Sequence, residues 1–191
     1  DSVTNVNLAS AGSVSNASTG SYDITASLAQ GVGLTNYTIG YSNGVLMVGA
    51  ANLLITAGNT NKVYGATLNP SVYVVNGLLN EDSVTNVNLA SAGSVSNAPT
   101  GSYDITASLA QGVGLTNYTI GYSNGVLMVG SANLLVIAGN TNKVYGATLN
   151  PSVYAVNGLL NEDSVTNVNL ASAGSVSNAP TGSYDITASL A

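Results

Sequence analysis

The stretch Tyr103-Asp104-Ile105-Thr106-Ala107-Ser108-Leu109 decides the fold class, because its apolar and polar residues alternate without a break. Such alternation predicts a half-buried β-strand whose odd-numbered residues, from Tyr103 to Leu109, lie on the inward face. Further strands are predicted at 53–57, 72–75, 84–89, 118–122 and 126–129. Apolar residues nowhere recur at helical spacing over about ten positions. The sequence therefore predicts an all-β fold.

Two Asn-Gly dipeptides predict how some of these strands are connected. Asn76-Gly77 follows the strand 72–75, where we expect a hairpin turn. Asn124-Gly125 separates the strands 118–122 and 126–129, which gives a strong hairpin signal. We therefore expect strands 118–122 and 126–129 to pair with each other.

An internal repeat dominates the sequence. The string DSVTNVNLASAGSVSNA starts at Asp1, Asp82 and Asp163, which gives a period of 81 residues, and 163–191 matches 82–110 throughout. A period of 81 residues is longer than that of solenoid repeats and is sufficient for a small domain. The sequence therefore predicts tandem domains, each either an Ig-like β-sandwich or a β-grasp-like sheet.

Five substitutions separate residues 1–81 from 82–162. The pairs are Ser18/Pro99, Ala50/Ser131, Ile55/Val136, Thr56/Ile137 and Val74/Ala155. Exchanges between apolar residues of similar size are typical of buried positions, so residues 55 and 74 are predicted to be buried. The Thr/Ile pair indicates that residue 56 is partly exposed or lies at a domain junction.

The apolar run that begins after Asn52 sets the expected domain boundaries. We predict one complete domain at 52–131, the second part of a preceding domain at 1–51, and the first part of a following one at 132–191. No Pro/Gly/Ser-rich linker separates the strand 126–129 from the run 134–137. Neighbouring domains are therefore expected to be stiffly coupled in a rod that gains roughly 30–40 Å per repeat.

The composition excludes several classes of function. The chain has no His and no Cys, so it can form no Ser-His or Cys-His nucleophile, no zinc, haem or iron–sulfur site and no disulfide. With two Lys and Arg residues against eight Asp and Glu, it has a net charge of −6, which is unsuited to nucleic-acid binding. No apolar window of about 18 residues predicts a membrane span. We expect no enzyme, no catalytic residue, no metal site and no cofactor.

Four charged residues of the complete repeat allow alternatives to this expectation. Glu81 and Asp82, with Asp104, are read as solvated acids, and a calcium site at the turn 80–83 is the alternative. Lys62 is read as an ordinary lysine, and the alternative is an isopeptide bond to an Asn side chain promoted by Glu81 or Asp104. Tyr64, followed by Gly65, is read as a packed ring before a glycine turn, and an aromatic contact with glycans or protein is the alternative.

A family resemblance spans the whole 81-residue unit. The residues that carry it are Lys62-Val63-Tyr64-Gly65-Ala66, Asn69-Pro70, Tyr73, Gly77-Leu78, Asp82-Ser83-Val84-Thr85, Gly101–Ala107, Asn117–Ile120 and Asn124–Leu127. Together they resemble the MBG domain of the YGX type, a repeat of large secreted bacterial adhesins and haemagglutinin-like exoproteins. The resemblance implies a surface or biofilm-matrix protein with repeats in a stalk or fibre, and no catalytic residues. Glu81 stands where the family often has Gly.

Three functional hypotheses follow from the repeat and the resemblance. The first is a structural stalk of an extracellular bacterial adhesin or filament, in which each repeat contacts its neighbours in the chain. The second is a multivalent glycan- or mucus-binding module. The third is a filament subunit joined head-to-tail by strand complementation, since 1–51 carries strands that 132–191 lacks. A window cut from a longer filament would show the same arrangement of strands.

Overall fold

A computed structural model describes residues 1–190, and their regular structure consists of β-strands and short 3-10 turns without an α-helix. The strands are β1 Ser2–Ala9, β2 Gly20–Val32, β3 Gly44–Val48, β4 Ala51–Ala57, β5 Thr60–Val63, β6 Tyr73–Asn76, β7 Ser83–Ala90, β8 Gly101–Val113, β9 Tyr118–Ser123, β10 Gly125–Gly130, β11 Leu135–Ala138, β12 Tyr154–Asn157, β13 Val168–Ala171 and β14 Thr187–Leu190. The 3-10 turns are Ala11–Ser13, Leu34–Asn36, Ala92–Ser94, Leu115–Asn117 and Ala173–Ser175. The all-β prediction is confirmed.

Strands β4 to β10 form two sheets. One sheet has the order β6-β4-β9, and the other has the order β5-β10-β8-β7. Within the first sheet, β4 pairs antiparallel with β6 and parallel with β9. Two β-sheets without an α-helix anywhere in residues 1–190 correspond to the sandwich alternative.

The chain forms two compact units. The first contains 1–60, 69–91 and 104–126, and the second contains 61–68, 92–103 and the residues from 127 onward. Fully buried side chains of the first unit are Leu53, Ile55 and Ile105, and Leu127 is fully buried in the second. Burial of large aliphatic side chains supplies the main favourable free energy of such small β-domains. The domain boundaries 1–51, 52–131 and 132–191 stay a prediction.

Parallel pairing determines where strand β4 begins. Its register with β9 runs from Ala51 opposite Tyr118 to Thr56 opposite Ser123. The corresponding strand of the next copy, β11, begins only at Leu135, and residues 132–134 have no such partner within 1–190. Residues 37–42 repeat the sequence of β9 but are not a strand. The same sequence therefore becomes a strand only where its partner is present.

The hairpins predicted at Asn76-Gly77 and Asn124-Gly125 are wrong. Strands β9 and β10 follow each other in the chain but belong to different sheets, and so do β6 and β7. At the second site the chain is held by side chains outside the turn. Asn124 donates a hydrogen bond from Nδ2 to Asp104 Oδ2 (3.3 Å), and Val126 N–H donates to Asn59 Oδ1 (2.8 Å). The dipeptide therefore marks a crossing between sheets.

The prediction that Leu109 lies on the inward face is also wrong. The register of β7 with β8 steps from Asn88 opposite Ser108 to Asn86 opposite Gln111, so β8 carries one extra residue. This bulge places Leu109 at φ 51°, and its side chain is 74% exposed. Ile105 and Ala107, before the bulge, are buried as predicted. The alternation therefore holds up to the bulge and ends there.

Two of the three burial predictions made from the repeat differences are confirmed. Ile55 is fully buried, and Thr56 is partly exposed. Val74 was predicted to be buried, and this is wrong because more than half of it is exposed. It lies in β6, which is an edge strand of its sheet, opposite Thr56 of β4.

Candidate functional site

Lys62 is a buried side chain of the complete repeat that joins two of its loops. Lys62 lies in β5 at a position that faces inward, and its side chain is only 7% exposed, which is rare for a lysine. Its Nζ donates hydrogen bonds to the carbonyl oxygens of Ala66 (2.8 Å) and Val95 (2.5 Å). Two carbonyl dipoles thus solvate a buried ammonium group, and they join two loops that are distant in sequence.

The Tyr64-Gly65-Ala66 turn is docked on the loop 94–96 by backbone hydrogen bonds as well. Gly65 N–H donates to Ser96 O (2.9 Å), and Leu68 N–H donates to Ser94 O (3.0 Å). Gly65 has φ 91°, a conformation that glycine adopts without strain. The prediction that Gly65 supplies a turn dihedral is confirmed. We call residues 62–68 together with 94–96 the YG clamp.

The next copy of the repeat forms the same clamp. Lys143 Nζ donates to the carbonyl oxygens of Ala147 (3.0 Å) and Val176 (2.5 Å). Gly146 N–H donates to Ser177 O (3.1 Å), at the same spacing as in the first clamp. The clamp therefore depends on the local sequence of one repeat, and its carbonyl acceptors are backbone atoms.

A second polar cluster surrounds Tyr118 at the start of β9. Its hydroxyl group donates to Asp82 Oδ2 (2.8 Å) and accepts a hydrogen bond from Leu79 N–H (2.8 Å). Burial raises the pKa of Tyr118, and the carboxylate of Asp82 raises it further, since both oppose the phenolate. Tyr37 makes the equivalent contact with Asp1 Oδ2 (2.9 Å) in the preceding copy. The cluster joins β9 to the turn before β7.

Other tyrosine hydroxyl groups are also used within the fold. Tyr103 donates to Pro99 O (2.8 Å), four residues earlier, and Tyr122 accepts from Ala110 N–H (3.0 Å) at the bulge. Tyr22, Tyr184 and Tyr41 make the corresponding contacts in the other copies. These tyrosines act as internal braces.

The acids singled out by the sequence lie at different places. Asp82 accepts a hydrogen bond from the Tyr118 hydroxyl group, and Asp104 accepts one from Asn124 Nδ2. Glu81 is exposed in the turn before β7. Residues 1–190 bring no three acidic side chains together in a group that could hold a metal ion. The calcium alternative stays an untested prediction.

The alternative role of Lys62 is an isopeptide bond to an Asn side chain. The hydrogen bonds that its Nζ makes go to two backbone carbonyl groups, and neither acceptor is an Asn side chain or a carboxylate. Isopeptide formation requires the amine to attack a side-chain amide, so this arrangement favours a structural lysine.

A cavity of about 890 Å³ lies within residues 138–187. Thr141–Lys143 and Gly182–Thr187 line it, and they correspond to β5 and β8 of the complete repeat. In the complete repeat, β10 lies between those two strands. The cavity therefore has the position of a strand of the fold, and its shape needs no small-molecule ligand.

Comparison with known protein families gives one match. The family model of the MBG domain (YGX type) matches residues 53–128 and again residues 134–191. The chain belongs to the MBG family. No curated protein and no solved structure gives a match.

MBG domains are non-catalytic repeat modules of surface proteins. In this MBG chain the YGX pattern is Tyr64-Gly65-Ala66, and Tyr145-Gly146-Ala147 repeats it. Among residues 1–190 no helix is long and apolar enough to cross a membrane.

Residue types do not predict that the loop 94–96 and the turn 159–161 both lie against the segment 62–68. The loop 94–96 contributes carbonyl groups, which every residue carries, so residue type gives no signal for it. The apolar pair Leu159-Leu160 within a polar turn did offer a signal, because exposed leucines in a turn suggest a packing partner.

Proposed function

We propose that this MBG chain is a spacer segment of an extracellular bacterial surface fibre or adhesin. Its repeats keep a set distance between the ends of a longer protein and resist bending. The role requires no catalytic group and no bound ligand, and each near-identical repeat performs the same task. Neighbouring repeats of the same chain are its principal partners.

The observation that carries the proposal is the short connection between copies. Strand β3 ends at Val48 and β4 begins at Ala51, so only Gly49 and Ala50 separate the last strand of one copy from the first strand of the next. A flexible linker of Gly and Ser residues would need to be longer to let two domains reorient freely. A two-residue connection supports stiff coupling.

Small-angle scattering on chains with two, four and six complete copies tests this proposal. We expect the maximum dimension to rise linearly by roughly 30–40 Å per copy, the length of about ten residues of strand. A matched control carries about ten Gly/Ser residues between Gly49 and Ala50 and the equivalent pairs. Its dimension should grow more slowly, as for a flexible chain. Equal growth in both series, or compact particles, would overturn the proposal.

A further inference from the structure

The turn 159–161 of one repeat lies against the YG clamp of the preceding repeat. Asn161 donates a hydrogen bond from Nδ2 to Ser96 O (3.0 Å), the same oxygen that accepts from Gly65 N–H. A Cβ atom on Gly65 would overlap Leu160 Cδ1. Glycine at position 65 therefore gives the clamp its turn and also leaves room for a leucine of the next repeat.

The contact recurs at the previous junction. Asn80 Nδ2 donates to Ser15 O (3.4 Å), and both pairs are separated by 65 residues. Asn80 and Asn161 have φ angles of 54° and 50°, in the left-handed region that asparagine tolerates better than most residues. The same backbone conformation thus presents the amide at both junctions.

The copies also provide an internal comparison of burial. Leu160, which has a YG clamp beside it, is 39% exposed, whereas its counterpart Leu79 is 54% exposed. Tyr64 is half-buried and lines a cavity of about 170 Å³ with Leu159 and Leu160. Its counterpart Tyr145 has no such turn beside it within residues 1–190 and is 66% exposed. Where the turn lies against the YG clamp, both Leu160 of the turn and Tyr64 of the clamp are more buried than their counterparts.

From these contacts we infer that the YG clamp is a docking surface whose partner is the Leu-Leu-Asn turn of the following copy of the repeat. The clamp offers a shallow apolar recess at Tyr64 and Gly65 and a carbonyl acceptor at Ser96. The turn supplies Leu160 for the recess and the Asn161 amide for the acceptor. This inference rests on the proposed spacer function, for which it names the joint between repeats.

Amide hydrogen exchange in the 191-residue chain tests the joint directly. Leu160→Ala removes the apolar contact, and Asn161→Gly removes the amide while it keeps the positive φ. Each variant should raise the exchange rate of the Gly65 amide about three- to tenfold, the effect of losing one such contact. Leu79→Ala is the matched control and should leave that rate unchanged.

Two results would overturn the inference. One is an unchanged Gly65 exchange rate in both variants. The other is an equal rise in Leu79→Ala, which would show general loosening of the fold. Scattering on multi-copy chains tests the spacer role separately. Linear growth with unchanged exchange rejects the joint alone, and sublinear growth with raised exchange in Leu160→Ala rejects the spacer alone.

Discussion

Replacing Leu109 by asparagine should stabilise the protein, although it removes a large apolar side chain from a strand. Leu109 is the bulge residue of β8, with φ 51° and a side chain that is 74% exposed. The left-handed conformation costs an L-residue about 1–2 kcal/mol, and asparagine relieves part of that cost through local hydrogen bonding. The prediction therefore depends on the bulge.

The expected magnitude follows from burial. Fully burying a leucine contributes about 1.5–3 kcal/mol, so a side chain that is about one-quarter buried contributes roughly 0.5 kcal/mol. Relief of about 1 kcal/mol of backbone strain exceeds that loss. We expect Leu109→Asn to raise the free energy of unfolding by about 0.5 kcal/mol. An inward Leu109 would instead make the substitution cost about 3 kcal/mol or more.

Urea unfolding followed by far-UV circular dichroism measures the change, provided that the slope with denaturant stays constant. Leu28→Asn, at φ 49° in β2, should behave in the same way. Leu89→Asn in β7, whose side chain is partly buried, is the opposite control and should destabilise the protein. Destabilisation of Leu109→Asn by as much as Leu89→Asn would refute the bulge and restore the unbroken alternation.

Three further predictions concern the clamp, the Tyr118 cluster and the β7–β8 ladder. Lys62→Met keeps the buried apolar stem but leaves two carbonyl groups without their donor, so it should lower the free energy of unfolding by about 3 kcal/mol. Lys143 is more exposed, so Lys143→Met should lower it by only about 1 kcal/mol. Equal losses of the two variants in calorimetry would contradict the role of Lys62 in the YG clamp. Tyr118 has a folded-state pKa raised above that of the unfolded chain, so its contribution is complete below about pH 10 and is lost as the pH rises through the folded-state pKa. Melting curves from pH 8 to about 11 should therefore fall less steeply for Tyr118→Phe than for the parent, and parallel curves would argue against this assignment. Gly112→Ala should destabilise the chain by more than about 2 kcal/mol because its Cβ would overlap the Ser83 carbonyl oxygen, while Gly121→Ala, with its nearest neighbour at 3.7 Å, should be neutral or stabilising in urea titrations.

The strands could be predicted from the sequence because alternation is a local property. The segment Tyr103 to Ala107 alternates, and its apolar side chains lie on the inward face as expected. Strand pairing depends on residues that are distant in sequence, so a dipeptide alone does not determine it. Asn124-Gly125 has the composition of a hairpin turn, yet the strand before it, β9, pairs in parallel with β4. The bulge at Leu109 also depends on a distant strand, since it appears only as a register step against Asn86 and Asn88.

The candidate site was predicted only in part, for a similar reason. Gly65 could be assigned to a turn because glycine is specific for positive φ. The partners of Lys62 are the backbone carbonyl groups of Ala66 and Val95. Every residue carries such a group, so the residue type does not show which one will accept a hydrogen bond. Asn161 belongs to the next repeat, so its contact with Ser96 requires knowledge of how consecutive copies meet.

The parallel pair of β4 and β9 has a mechanical consequence. Its six register pairs, from Ala51–Tyr118 to Thr56–Ser123, join an early strand of the repeat to a late one. Tension that reaches this pair pulls β4 from its amino end and β9 from its carboxyl end, which lie at opposite ends of the ladder. The hydrogen bonds are then loaded in shear and share the force, whereas an antiparallel hairpin would open one bond at a time. The parallel pairing of β4 with β9 therefore opposes separation of the first and last parts of the complete repeat.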